Sequence, residues 1–341
     1  MGRYLNPGME SFEKSVNSEI YVDKTGLIGY TNRVMNTVQG YVCVSRPRRF
    51  GKSMAANMLT AYYSRGCDSR EIFSKFEISE SPDFEKYRNK YNTIFLNMQE
   101  FLSRSDSVEA LVDRVKKLVL RDLKREYPDV DYFDDTDLVE SMQDIYETEK
   151  CPFVVIIDEW DCIFREFRQN KEAQEKYLDF LRDLLKDKAC IHLAYMTGIL
   201  PIKKYGTHSA LNMFDEFSMI NPGPLAPYVG FTEVEVEYLC HKYRMDMEEV
   251  KAWYDGYSFS MAASVFGPRS VVNSMLFGKI ENYWNQTETF EALQVYIDMN
   301  FDGLKDDVLS MIAGERIPVN TGSFTNDMTT FRTEDDVLTL L

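Results

Sequence analysis

Gly51, Lys52 and Ser53 stand between a short β-branched run, Tyr41-Val42-Cys43-Val44-Ser45, and a helical pattern carried by Met54, Met58, Leu59 and Tyr62. Those three residue types suit one task. Glycine lets backbone N–H groups close around an anion, a lysine ammonium reaches the β- and γ-phosphates, and a serine hydroxyl ligates Mg²⁺. The helix that follows adds partial positive charge at its N-terminus. One position departs from the pattern G-x-x-x-x-G-K-S/T. Arg46 stands where that motif has its leading glycine, and a residue with a Cβ is less free to adopt φ > 0. Either the loop opens differently at Arg46, or the triplet is an ordinary strand-to-helix turn whose lysine and serine are solvated.

A second constellation lies well downstream. Phe153-Val154-Val155-Ile156-Ile157 is a continuous apolar run, as expected of a strand buried on both faces, and it ends in Asp158-Glu159. Ligands bind at the C-terminal ends of strands in open α/β sheets. There Asp158 could hold Mg²⁺ and Glu159 could orient or deprotonate a water; the plainer alternative is that acidic residues merely end a buried strand. Thr197 closes another apolar run, Ile191 to Met196, where a hydroxyl could sense phosphate, place the attacking water, or satisfy local backbone groups at a turn. Around the triplet, phosphate contacts are expected from the backbone of Arg49, Phe50, Gly51, Lys52 and Ser53, flanked by Met54. Arg46, Arg48 and Arg49 concentrate positive charge there, which reads as ligand-directed unless they pair with surface carboxylates.

These residues need a scaffold of strands and helices in alternation. Thr93 to Met98 reads as a further buried strand, and Val108, Leu111, Val112, Val115 and Leu118 mark an amphipathic helix ended by Pro128. Asp129 to Asp137 is a loop before a helix carrying Leu138, Met142, Ile145 and Tyr146. Ala173, Tyr177, Phe180, Leu181 and Leu184 line another helix, and Phe217 to Ile220 suits the last core strand. The alternation predicts an α/β domain with a mostly parallel sheet of about five strands flanked by helices, over residues 1–225. Pro222 to Gly230 reads as a linker, followed by a C-terminal helical lid over residues 226–341. That lid opens on the capping box Thr232-x-x-Glu235, and Gly256 is placed at a helix C′ position. Arg269 is the residue placed to sense charge from the lid, and Lys203 or Lys204 could reach a ligand from a basic loop. Upstream, Asp23 reads as the N-cap of a helix holding Leu27, Ile28, Tyr30 and Val34, whereas the stretch to Ile20 shows little periodicity.

Composition narrows the function. The chain has 341 residues and a formal net charge of −16, which argues against broad electrostatic binding to nucleic acid. Its six cysteines are scattered with no C-x-x-C pair, as in buried thiols of a reducing cytosol, and His192, His208 and His241 make no metal-ligand spacing with them. No run reaches the roughly 18 apolar residues of a membrane span, and the N-terminus has no signal-peptide core, so a cytoplasmic protein is expected.

The motifs R-P-R-R-F-G-K-S, V-D-K-T-G-L-I, I-D-E-W-D, T-G-I-L-P-I-K-K-Y-G, W-Y-D-G-Y and S-V-V-N resemble those of the AAA-ATPase-like proteins of bacteria, over the chain from about residue 3 onward. The resemblance implies a P-loop NTPase that binds ATP with Mg²⁺. It also implies that arginine at position 46 belongs to the loop variant, and that the segment around Asp23 lies against the adenine. Relatives of this kind commonly carry a PD-(D/E)XK nuclease-like domain farther on, through which nucleic acid becomes a partner. The apolar end Val337-Leu338-Thr339-Leu340-Leu341 suggests a chain that stops inside an element, and Glu249-x-Lys251 with Asp246 is no nuclease site, since it falls in helical sequence. The expected function is Mg-dependent ATP hydrolysis driving a conformational change. Alternatives are a nucleotide switch that does not hydrolyse, and the regulatory ATPase part of a nuclease-linked protein. ATP-over-GTP preference and oligomeric state are not legible.

Overall fold

The computed structural model describes residues 2–167, 170–200, 202, 211–219, 221–259, 262–283, 303–312 and 317–319, with 333, 335 and 338. Five strands form one parallel sheet: β1 (Tyr41–Ser45), β2 (Asn92–Asn97), β3 (Phe153–Asp158), β4 (Ile191–Gly198) and β5 (Asp215–Phe217), in the order β2-β3-β4-β1-β5. Every residue of β3 is buried, which an apolar strand achieves only when both sheet faces are covered. Successive side chains divide between those faces. Phe153, Val155 and Ile157 join the cluster under helices Val108–Glu126, Leu138–Glu149 and Lys171–Leu185, while Val154 and Ile156 pack with helices Gly26–Val34 and Lys52–Tyr63.

The helices begin where side chains satisfy the orphan N–H groups of a first turn. Ser107 accepts from the N–H of Ala110, Asp137 from those of Val139 and Glu140, and Asn170 from that of Ala173. β4 lies between β1 and β3, in register Val44↔Thr197 and Ile157↔Met196. This brings the ends of β1, β3 and β4 to one rim.

Beyond the sheet, residues 231–277 fold as a small module. Helices Glu233–Tyr243, Met247–Tyr254 and Pro268–Phe277 accompany three antiparallel strands, β6 (Phe231–Thr232), β7 (Asp255–Phe259) and β8 (Ala262–Phe266), in the order β6-β8-β7. A helical lid was expected here. The segment W-Y-D-G-Y-S-F and the run Ser264-Val265-Phe266 are instead rich in residues that favour a pleated surface, and Gly256 lies inside β7 rather than at a helix end. The capping box does form: Thr232 accepts from the Glu235 N–H and Glu235 from the Thr232 N–H. Glu235 also pairs with Lys24 at 2.5 Å, tying the N-terminal segment to the module, and Ile20 joins the module's core.

Other differences are local. The N-terminal stretch contains a helix, Glu10–Val16, too short to signal itself by period; it is held by tertiary packing, with Phe12 stacked on Phe73 at 4.9 Å. Thr25, not Asp23, stands at the N-cap position of the helix Gly26–Val34, with no side-chain capping bond, and Asp23 accepts from the N–H groups of Thr25 and Glu77. β5 ends at Phe217. Lys203 and Lys204 lie outside the described residues, as does most of the chain's last stretch, whereas Leu304–Ile312 is helical. Among the described residues, no helix is long and apolar enough to cross a membrane.

Candidate functional site

At the rim, β1 passes through Arg46 to Gly51 into the helix Lys52–Tyr63. Arg49 (φ 69) and Gly51 (φ 90) both take left-handed backbone conformations, which turns the loop sharply back on itself. A Cβ on Gly51 would meet nothing within 4 Å among the described residues, so glycine is required there by conformation. Lys52 lies across this loop. Its ammonium is buried and donates to the carbonyls of Arg46 and Pro47, at 3.0 Å each. Burial lowers its pKa, and the nearby carboxylates of Glu159, Asp161 and Asp158 oppose that shift.

The acidic pair at the end of β3 divides in two. Asp158 is buried, accepts from the Thr197 hydroxyl and from Asn97 Nδ2 (3.3 Å), and lies within hydrogen-bonding reach of the exposed Ser53 hydroxyl. Burial raises its pKa, and the two hydroxyls pull it back. Glu159 follows in a left-handed conformation (φ 57), the kind of strained backbone that clusters at functional sites. Its carboxylate is only partly buried and accepts from Arg165 Nη2 at 2.5 Å.

Lys52, Ser53, Asn97, Glu159 and Arg165 face one cavity of about 1220 Å³, above the roughly 300–1,000 Å³ of most small-ligand sites, and Asp158 is buried beside it. Arg48 to Ser53 with Met54 line one side, and Glu159 with Arg165 the floor. The small module contributes Phe231 and Arg269, and the apolar end is completed by Ile20, Val22 and Tyr228. The N-terminus of the loop helix opens into this space, so the polar end of the cavity suits an anion.

Three residues expected at the ligand are placed elsewhere. Arg46 is fully buried beneath the loop, its Nη1 donating to the carbonyls of Ser45 (2.9 Å) and Phe217 (2.7 Å). That corrects its ligand-facing reading: the guanidinium is buried and finds backbone carbonyls for Nη1 alone, while Nε and Nη2 have no hydrogen-bond partner among the described residues. Thr197 does not line the cavity, and its hydroxyl donates to Asp158. Asp23 likewise stands outside the lining, occupied with two backbone N–H groups. In the other direction, Arg165, Asp161 and Asn97 carry roles in the structure that no motif announced. Arg165 follows Asp161 by four residues, the spacing of neighbours on a helix, so that ion pair was open to sequence reasoning; the Asn97–Asp158 contact needed the β2–β3 register.

Ser53 and Asp158 are the groups that fit a divalent cation. Among the described residues no cluster of three His, Cys, Asp or Glu could hold a metal, and Mg²⁺ does not need one, since it takes most of its ligands from water and phosphate oxygens.

Known proteins are similar to this chain to differing degrees. A curated relative, the uncharacterized protein in the vnfD 5′ region of Azotobacter chroococcum mcd 1, is 25% identical over 297 residues, covering 83% of this chain. The chain spans about half the length of that relative, 54%. Two solved structures resemble the backbone distantly. The replication initiator DnaA bound to AMPPCP and single-stranded DNA has a TM-score of 0.36 at 9% identity, covering 92% of this chain and 74% of that one. The Aeropyrum pernix ORC2 protein, in ADPNP–ADP complexes, has a TM-score of 0.37 at 11% identity, covering 92% and 81%. Both scores lie below 0.5, so the fold stands on the strand order itself. The family of AAA-ATPase-like proteins, described as predicted AAA-ATPases, matches residues 6–207, a span that contains the Gly51–Ser53 loop, Asp158, Glu159 and Thr197, and it is to this family that the chain belongs.

Proposed function

We propose that this protein binds ATP with Mg²⁺ in the cavity and hydrolyses it, the change of ligand being transmitted to the small module. The observation that carries this reading is the meeting, at one cavity, of the Arg49–Ser53 backbone at a helix N-terminus with Lys52 and Glu159, while the buried Asp158 lies within hydrogen-bonding reach of Ser53.

The triphosphate would lie on the N–H groups of Arg49 to Ser53, with the base toward Ile20, Val22 and Phe231 at the apolar end. Lys52 would exchange the carbonyls of Arg46 and Pro47 for β- and γ-phosphate oxygens, a trade that keeps its buried charge satisfied throughout. Ser53 and, through water, Asp158 would hold Mg²⁺, which when bound neutralises charge on the phosphate oxygens. Thr197 and Asn97 fix the Asp158 carboxylate in place. Glu159, partly exposed to the cavity, would accept a proton-bearing contact from the attacking water and orient it. Arg269 reaches the cavity from the small module, and would report the presence of phosphate to it. Chemistry of this kind is mostly positioning and electrostatics.

Phosphate release under single-turnover conditions tests the assignment. Glu159→Gln should retain nucleotide and release phosphate at least 100-fold more slowly, in the range of general-base contributions. Turnover of that variant at the wild-type rate would remove Glu159 from the role.

A further inference from the structure

In this structure the carboxylate assigned to the attacking water is already engaged. Arg165, on the short helix Cys162–Glu166, donates from Nη2 to Glu159 Oε2, while its Nε lies 3.4 Å from Asp161 Oδ2. The two carboxylates differ in freedom. Asp161 is fully buried and its Oδ2 accepts from the backbone N–H groups of Ile199 (3.0 Å) and Leu200 (2.8 Å), just past β4. Glu159 is about a quarter exposed, 24%, and faces the cavity.

A guanidinium is a planar fork with donors on more than one edge. The edge beside Asp161 can therefore stay while the other edge changes partner. Arg165 lines the same cavity as Lys52 and Ser53, where a terminal phosphoryl group would arrive. That group carries more charge than a carboxylate and accepts a forked donor bidentately, so it competes well for Arg165.

We propose that Arg165 senses the terminal phosphate from within the chain. Without it, Arg165 rests on Glu159 and occupies the carboxylate needed by the water; with it, the Nη edge moves to the phosphate and Glu159 is released. Asp161 is the pivot that holds Arg165 in both states. This inference rests on the nucleotide reading above, and adds to it a cost in affinity: triphosphate binding must break the Arg165–Glu159 pair, whereas diphosphate binding need not.

Calorimetric titration with Mg-ADP and with the non-hydrolysable Mg-AMPPNP separates the two readings. The quantity is the ratio of AMPPNP to ADP affinity in wild type, Glu159→Gln, Arg165→Gln and the double variant. Glu159→Gln should raise the ratio about tenfold, because Arg165 no longer leaves a charged partner. Arg165→Gln should lower it by a similar factor, and adding Glu159→Gln on that background should change nothing. An equal rise with and without Arg165 would mean simple relief of negative charge, and would overturn the proposal; so would a ratio indifferent to Arg165→Gln while ADP still binds. Failure of wild type to bind ADP would instead overturn the nucleotide reading, and this inference with it. If Arg165→Gln fails to fold because Asp161 loses its cation, Arg165→Lys replaces it. Lysine keeps a charge beside Asp161 but has no second edge, so the dependence of the ratio on Glu159 should still collapse; its persistence would count against the proposal.

Discussion

Replacing Phe50 by alanine removes the side chain that joins the phosphate loop to the small module. The ring is only 3% exposed and clusters with Val229 and Val265. On the module side it also lies close to two glycines: a Cβ built on Gly230 would lie 3.4 Å from Phe50 Cδ1, and one on Gly267 3.8 Å from Cε2. Transfer of a phenyl side chain from water is worth roughly 2–3 kcal/mol, and the cavity left behind raises Phe→Ala to about 3–5 kcal/mol in a closed core. Because Gly230 and Gly267 offer no side chains to refill the hole, a loss of about 3–4 kcal/mol is expected, against about 1 kcal/mol for Phe50→Leu. Denaturant unfolding should show this as a lower midpoint at unchanged slope. Limited proteolysis of the native protein should also cut faster within residues 231–283, since undocking of the module becomes an easier local opening. A loss under about 1 kcal/mol with unchanged proteolysis would refute the argument that Phe50 holds the two parts together.

Three further outcomes follow from single positions. Gly51→Ala places a Cβ on a residue at φ 90 and should cost about 1–2 kcal/mol by thermal unfolding, with no steric contribution, since nothing lies within 4 Å; a neutral result would show the loop relaxing out of that conformation. Gly230→Ala should cost more, because φ is again positive (116) and the new methyl would sit 2.5 Å from Val265 Cγ1. Glu216 on β5 accepts from the Ile202 N–H and the Ser45 hydroxyl, and burial pushes its carboxyl up to about 7 from an ordinary 4.5. A folded pKa raised above the unfolded one means a stability contribution fully present below pH 4.5 and lost as pH rises through about 7. Wild type should therefore lose up to about 3 kcal/mol relative to Glu216→Gln between pH 5 and pH 8; parallel pH profiles would contradict it.

What the sequence disclosed, and what it withheld, divides along chain distance. The apolar runs of β1 to β4, the helix Val108–Glu126 and the Thr232–Glu235 capping box are set by residues close in sequence, and each is legible as period or as a local cap. The same is true of Gly51-Lys52-Ser53 beside Asp158-Glu159, whose convergence needed only the rule that strand ends gather ligands. Arg46 was misread because its partner is the carbonyl of Phe217, brought close by β5 pairing with β1. The bond from Thr197 to Asp158 was not legible because it depends on where β4 inserts between β1 and β3. The β7–β8 pair was hidden by an aromatic-rich stretch that reads equally as a helix end, and Lys24–Glu235 joins residues no local pattern connects.

Thermal unfolding with and without Mg-ATP, for wild type and Lys52→Ala, bears most directly on the central claim. At a nucleotide concentration of about 100 times its dissociation constant, binding adds roughly 2.7 kcal/mol to the folded state, a shift of several degrees for a chain of this size. The account predicts that shift in wild type and its loss in Lys52→Ala, whose ammonium the cavity's phosphate end depends on. An equal shift in both proteins, or none in wild type, would contradict it.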